Sequence, residues 1–276
     1  MPHVNALPTR GEIEAEYRKV AFIGGIYSNY LALEAALRML APLRVDAVYA
    51  LGDFGAFGPY PDRTLELLQK HGIPCIQGNY EEALSSGAED CHCGYTDPRD
   101  NHFARLSYDY TAAHTAPEHK RWMAGLPLAR RIRIGASEVL LTHGSPRRIN
   151  EFLWQTTTPL PFIRKLLHDF ECDLVACTHT GLPWHRLLDG HRGLVNVGAL
   201  GRPANDGQTE VKLTVVEQDR HGLRIEVVPV AYDYETLARE MKNEGLPPEF
   251  IATISTGWWT SCLEVLPAKE RAAGKF

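Results

Sequence analysis

Four apolar segments of this sequence each end at a tight turn that carries one side chain able to bind a metal. These turns are Gly52-Asp53, Gly78-Asn79, Thr142-His143-Gly144 and Thr178-His179-Thr180. Because strand ends in open α/β sheets collect loops that face one another, we expect the four side chains to converge. One carboxylate, one amide oxygen and two imidazoles suit a borderline divalent ion such as Mn²⁺, Zn²⁺ or Fe²⁺. The sequence therefore predicts a site for one divalent metal ion, held by Asp53, Asn79, His143 and His179.

The distribution of apolar residues is typical of an α/β protein. Short runs rich in Val, Ile and Leu recur, and several are followed by an amphipathic stretch. Strands are predicted over residues 20–23, 47–51, 73–76, 131–134, 139–141, 173–176, 194–197, 211–216 and 223–230. We predict a single domain over residues 1–276, with a loop and helical insertion at about 84–124 and a helical tail at about 234–276.

Composition limits the partners of the chain. The 276 residues are 44% hydrophobic and 23% charged, as in an ordinary globular protein. A formal net charge of -5 gives no general attraction to nucleic acid or to anionic lipid. The first residues show neither a signal peptide nor a run long enough to span a bilayer. We therefore expect a cytoplasmic protein with a small anionic substrate and no nucleic-acid or membrane partner, and a homo-oligomer remains open.

The four turns resemble the motifs of the calcineurin-like metallophosphoesterases. That family has the pattern D-x-H, G-D-x-x-x-x-G-P, G-N-H-D/E, x-H-G and G-H-T-H. Residues 52–59 match the second block completely, and residues 78–81, 142–146 and 178–181 are similar to the next three. The resemblance spans about residues 20–203 and implies two packed mixed β-sheets flanked by helices, a four-layer αββα sandwich. It also implies phosphomonoesterase or phosphodiesterase activity, in which two adjacent metals clamp a phosphate ester.

The departures from the family pattern all fall on one of the two metals. The first block would place Asp at Gly25 and His at Tyr27, and the last would place His at Gly181. Glycine has no donor side chain, so that metal loses its ligands. Tyr27 could fill the emptied volume, contribute to substrate binding or ligate Fe³⁺ as a phenolate. By resemblance, the complete remaining set makes the site mononuclear.

The resemblance also suggests which residues take part in the chemistry. Tyr80 stands where the family has the His that donates a proton or stabilises the leaving group, and Glu81 follows it. We name His143, Asn79 and Tyr80 as catalytic candidates. Loss of one of two metals removes several kcal/mol of transition-state stabilisation, or on the order of 10³-fold in rate, which a substrate with an activated leaving group could offset.

Other residues carry two interpretations each. Cys91 and Cys93 could form a second metal site with His102 or His114, or belong to a loop that folds over the cleft. Arg147 and Arg148 could bind an anionic substrate or be solvated. His185 and Trp184 could line the cleft, although core packing is equally open for Trp184. Trp258 and Trp259 are expected either to pack against a terminal helix or to lie in a contact between subunits.

Three functions remain open on the sequence alone. The first is a mononuclear metal-dependent hydrolase acting on a small phosphorylated or anionic substrate. The second is a catalytically degenerate ligand-binding or regulatory protein. The third is a non-hydrolytic Fe(II) enzyme, since two His and one Asp resemble the facial ligand set of such enzymes.

Overall fold

The chain folds around two β-sheets. A computed structural model describes residue 7 and residues 11–274. The strands are β1 (Glu16–Tyr17), β2 (Lys19–Ile23), β3 (Ala47–Ala50), β4 (Ala129–Ile134), β5 (Ser137–Thr142), β6 (Leu174–Cys177), β7 (Pro183–Leu187), β8 (Gly193–Val197), β9 (Val211–Asp219) and β10 (Gly222–Val230). The helices are α1 (Tyr30–Leu43), α2 (Pro61–Lys70), α3 (Asn79–Ser86), α4 (Pro98–His114), α5 (Pro117–Ala124), α6 (Leu160–Asp169), α7 (Tyr234–Asn243), α8 (Pro248–Thr256) and α9 (Ala268–Ala273).

Both sheets are mixed. One has six strands in the order β1-β4-β5-β6-β8-β7, and the other has four in the order β10-β9-β2-β3. Strands β5, β6 and β8 run parallel, as do β2 and β3, so the carboxyl ends of each group meet at one edge. The predicted strands that became β4–β5 and β9–β10 pair as antiparallel hairpins, with Ile134 opposite Ser137 and Gly222 opposite Asp219.

Three apolar clusters define the layers. Phe22 and Val216 of the smaller sheet pack against Ile132 and Leu141 of the larger one. A second cluster joins the outer face of the smaller sheet to α1 and α2, and a third joins the outer face of the larger sheet to α6. Burial of both faces explains why β2 and β6 carry apolar residues at successive positions and do not alternate. The predicted αββα arrangement is confirmed.

Several elements differ from the prediction. The strand expected at residues 73–76 is reduced to one bridge between Ala50 and Cys75, because Pro74 has no N–H to donate to a ladder. The helical part of the insertion predicted at about 84–124 includes two separate helices, α4 and α5, since Ala116 precedes Pro117 and takes an extended conformation. Helix α6 and strands β1 and β7 were not predicted. None of the helices described here has both the length and the apolar character needed to cross a bilayer.

The helical tail returns to the strand ends. Helices α7 and α8 pack on α4 through a cluster that includes Phe103, Leu237 and Phe250. The segment after α8 then brings Trp259 into a smaller cluster with Trp154 and Leu263. The tail thus covers one side of the edge at which the predicted metal ligands lie.

Candidate metal centre

Four loops at the strand ends carry the predicted ligands. Asp53 follows β3, His143 follows β5, His179 follows β6, and Asn79 begins α3. Asp53 and His179 have left-handed backbones, with φ of 57° and 61°. Such a conformation costs a non-glycine residue on the order of 1–3 kcal/mol and is found mainly where function requires it. The loops are therefore shaped to aim these two side chains.

The four side chains meet at one point, as the sequence predicted. His143 Nε2 lies 3.1 Å from Asn79 Oδ1, 3.1 Å from His179 Nδ1 and 3.3 Å from Asp53 Oδ2. Donor atoms that share one ion at about 2.1 Å are separated by roughly 3.0–3.4 Å, so this spacing fits a single divalent cation. All four residues are buried. Within the described part of the chain, Asp53, His143 and His179 form the one group of three His, Cys, Asp or Glu residues close enough to share an ion.

Hydrogen bonds outside the cluster fix which atoms face it. The backbone oxygen of Leu51 can only accept a hydrogen bond, so the His143 Nδ1 that lies 2.7 Å away is protonated and Nε2 turns its lone pair inward. Asn79 Nδ2 donates to the backbone oxygen of Cys91 at 2.8 Å, which directs Oδ1 toward the same point. Ligand orientation by such outer contacts is characteristic of built metal sites.

The charge states also suit a cation. Burial and the nearby His143 lower the pKa of His179 to about 3, so this imidazole is neutral at physiological pH. Burial alone would raise the pKa of Asp53, but His143 lowers it below the usual range and the carboxylate is ionised. Burial alone would lower the pKa of His143, and Asp53 raises it instead. Asp53 and the neutral His179 thus offer negative charge and a lone pair to one point, and a metal ion bound there would displace the proton that Asp53 favours on His143 Nε2.

Glu81 stabilises the site from outside the ligand set, a role that the sequence analysis did not assign to it. Its carboxylate is buried and accepts three backbone hydrogen bonds, from Asp53 N at 2.7 Å, Gly78 N at 2.8 Å and Phe54 N at 2.9 Å. Burial and the Asp53 carboxylate raise the pKa of Glu81 to about 7. This one side chain connects the turn that carries Asp53 to the turn that carries Asn79. The capping pattern of a Glu three residues after a turn glycine was the available signal.

Aromatic rings occupy the side where the second metal's ligands are missing. A Cβ atom at Gly25 would lie 2.5 Å from Cε1 of Tyr27, so the Tyr27 ring fills that volume, as one interpretation of the sequence held. A Cβ atom at Gly181 would lie 3.3 Å from Cη2 of Trp259. Trp259 was expected to pack the tail and does so, but it also reaches this side of the site. Whether Tyr27 binds substrate stays a prediction.

Three predicted site residues have contacts that weigh against their predicted roles. Tyr80 was named as a catalytic candidate, but its buried hydroxyl shares a 2.8 Å hydrogen bond with Ser107 Oγ of α4, and burial raises its pKa well above the usual range. Both features weigh against proton donation by Tyr80, and its catalytic role stays a prediction. Cys91 and Cys93 were offered as a second metal site, but they are joined in a disulfide, which leaves no thiolate to act as a ligand. The loop that contains them packs beside Asn79 instead.

The residues predicted to bind substrate are either exposed or engaged in other contacts. Arg147 forms an ion pair with Glu151, and its guanidinium lies over the Phe162 ring. Arg148 is exposed. His185 is exposed on the edge strand β7, whereas Trp184 is buried and donates to the Leu153 backbone oxygen, in agreement with core packing. Substrate binding by Arg147, Arg148 and His185 stays a prediction.

The fold and the ligand set together define a metal-binding αββα protein. The sequence matches the calcineurin-like phosphoesterase family over residues 18–203, more than half of the chain, and the protein belongs to that family. This confirms the resemblance seen in the motifs.

Individual relatives are distant in sequence and cover most of the chain. An uncharacterized protein of Methanocaldococcus jannaschii is 23% identical over 242 residues, which cover 83% of this chain and 93% of the relative. The crystal structure of a metallophosphoesterase from Sphaerobacter thermophilus is 24% identical, with a TM-score of 0.65 and coverage of 87% of this chain and 99% of that one. A hypothetical protein from Pyrococcus horikoshii OT3 is 22% identical, with a TM-score of 0.72 and coverage of 89% and 100%. At these identities the structures establish a shared fold.

Proposed function

We propose that this protein hydrolyses small phosphate esters with one divalent ion, Mn²⁺, Zn²⁺ or Fe²⁺, held by Asp53, Asn79, His143 and His179. The convergence of four donor atoms around His143 Nε2 is the observation that carries the proposal. Membership of a phosphoesterase family supports the type of reaction. The rings beside Gly25 and Gly181 favour one ion over two.

The residues around the proposed ion would have distinct roles. An ion bound there supplies a Lewis acid that polarises a phosphoryl oxygen and lowers the pKa of a water molecule. Asp53 provides the negative charge of the ligand set, and the contact of His143 with Leu51 keeps its imidazole in the tautomer that can bind a cation. Phe152 lies over His179 with 4.3 Å between ring centroids, and it limits access of bulk water from that side.

The position of the Tyr80 hydroxyl bears on which class of phosphate ester the protein would hydrolyse. In hydrolysis the water oxygen forms a bond to phosphorus, while the ester P–O bond breaks and its electron pair leaves with the departing oxygen. Because the Tyr80 hydroxyl is hydrogen-bonded to Ser107, we do not assign it the role of protonating the departing oxygen. We therefore favour substrates whose leaving group is stable as an anion, such as aryl phosphates. Arg147 and Arg148 remain candidates for holding the anion.

The test is a reconstitution assay. Protein treated with a chelator is reloaded separately with Mn²⁺, Zn²⁺ or Fe²⁺ and assayed with 4-nitrophenyl phosphate and bis(4-nitrophenyl) phosphate. We expect turnover of at least one ester that depends on the added metal and is absent from the chelated protein. If the reloaded protein binds metal and is stabilised by phosphate but hydrolyses neither ester, a binding or regulatory role replaces the proposed activity.

A further inference from the structure

Arg202 is a buried cation without a carboxylate partner. It lies in the turn after β8 and is 6% exposed. Among residues 11–274, no Asp or Glu oxygen forms a salt bridge with its guanidinium. Its one hydrogen bond within that part of the chain runs from Nη2 to the backbone oxygen of Ser261, at 2.6 Å. A guanidinium carries five N–H donors. The Asp100 carboxylate acts on this charge from a distance, but no carboxylate among residues 11–274 contacts the guanidinium and most of its donors have no hydrogen-bond partner there, which points to an anionic ligand.

Aromatic rings hold the guanidinium in place. Its Cζ lies 3.8 Å from the ring centroid of Trp259 and 5.2 Å from that of Phe57. Cation–π contacts of this kind stabilise the charge through the face of the guanidinium plane and leave the N–H groups at its edge available for an anion. The Trp259 ring is itself fixed, because its Nε1 donates to the Pro203 backbone oxygen at 2.7 Å.

Contacts of the neighbouring residues place Arg202 on the side of the metal centre that lacks ligands. Gly201 N donates to the Gly25 backbone oxygen at 2.9 Å, and Tyr27 N donates to the Asp53 backbone oxygen at 3.1 Å. Trp259, which stacks on Arg202, is also the ring that lies against Gly181.

Tyr27 connects the Asp53 loop to the surroundings of Arg202. Its backbone N–H donates to Asp53, and its ring packs edge-on against Phe57 with 5.2 Å between centroids. Phe57 is in turn one of the two rings that face the Arg202 guanidinium. The three positions that have lost their metal ligands, 25, 27 and 181, all lie beside residues that contact Arg202 or its neighbour Gly201.

We propose that Arg202 takes the place of the missing second cation and binds the non-bridging oxygens of the phosphoryl group. Its planar fork can donate two parallel hydrogen bonds to two oxygens of one phosphate, a geometry that suits phosphate monoesters and diesters. Asp53 and its partner ligands would place the one ion on the opposite side of the same group. The inference rests on the proposed phosphoesterase function and assigns a second positive charge to it.

The experiment measures phosphate binding directly. Inorganic phosphate is titrated by calorimetry into the metal-reloaded wild type, Arg202→Met, Arg202→Lys and Arg38→Met. Arg38 is the matched control, because its side chain is 71% exposed on α1. We expect the phosphate affinity of Arg202→Met to be at least about tenfold lower than that of the wild type, because a hydrogen-bonded charge pair contributes about 10- to 100-fold to affinity. Arg202→Lys should have an intermediate affinity, and Arg38→Met should bind phosphate as the wild type does. Metal content should stay at the wild-type level in all variants.

The outcomes separate this inference from the proposed function. Equal phosphate affinity of the wild type and Arg202→Met, or no phosphate binding by the wild type, would overturn the role of Arg202 even if metal-dependent turnover is present. Absence of turnover would overturn the proposed function, and the phosphate titration would still decide the Arg202 site. If Arg202→Met does not fold, the phosphate affinity of Arg202→Lys tests the inference instead, because lysine keeps the positive charge and loses the planar pair of N–H donors. An affinity equal to that of the wild type would then contradict the inference.

Discussion

Replacement of His143 by alanine is expected to abolish metal binding and to lower kcat/KM by at least about 10³-fold, the loss anticipated when a site gives up its main electrostatic stabilisation. The reason is geometric. His143 Nε2 lies within 3.3 Å of donor atoms on Asn79, His179 and Asp53, so removal of the imidazole deprives the ligand set of its central member. Metal content by mass spectrometry and steady-state kinetics with the activated aryl ester measure both effects.

The control for this variant is another histidine. His168 lies on α6 with its side chain 89% exposed, so His168→Ala removes the same ring from a position outside the site. We expect wild-type metal content and kinetics for that variant. If His143→Ala retained both its metal and its activity, the ligand assignment would be wrong.

Replacement of Gly24 by alanine is expected to lower the free energy of unfolding by about 3 kcal/mol or more, at the upper end of what overpacking costs. A Cβ atom at this position would lie 1.7 Å from the backbone oxygen of Gly198 and 2.5 Å from Thr178 Oγ1. Those two atoms are themselves hydrogen-bonded at 2.5 Å, one residue before His179. The methyl group would therefore force apart the ends of β2, β6 and β8. Urea unfolding measures the loss.

A second glycine provides the comparison. A Cβ atom at Gly125 would meet only the Trp122 backbone oxygen within 4 Å, at 3.5 Å, and the backbone there is right-handed. Gly125→Ala should change the free energy of unfolding by no more than about 1 kcal/mol in either direction. A Gly24→Ala protein as stable as Gly125→Ala would show that the strand ends are less tightly packed than described.

The metal ligands could be predicted because each depends on local sequence. Asp53, His143 and His179 each follow an apolar strand at a turn, and the parallel arrangement of those strands brings their ends together. The two packed sheets were predicted from the resemblance to the family and not from this local pattern. The loss of metal ligands at Gly25 and Gly181 could also be predicted from the sequence, since glycine has no side chain to bind a metal ion.

The rest of the site depends on contacts between distant parts of the chain. Nothing near Trp259 in sequence indicates that its ring would lie against Gly181 and over Arg202. The Tyr80 hydroxyl turns to Ser107 because α4 packs beside α3, which a motif that covers only residues 78–81 does not contain. Nothing in the sequence singles out Arg202, and only its burial without a contacting carboxylate distinguishes it from a surface arginine.

The number of metal ions per chain tests the central claim most directly. Purified protein is stripped with a chelator and reloaded with excess Mn²⁺, Zn²⁺ or Fe²⁺. After removal of unbound ions, the metal content per chain is measured by mass spectrometry. With Tyr27 and Trp259 beside the positions of the lost ligands, the structure predicts one tightly bound ion per chain and none in His143→Ala. Two tightly bound ions per chain would contradict the account of a one-metal site.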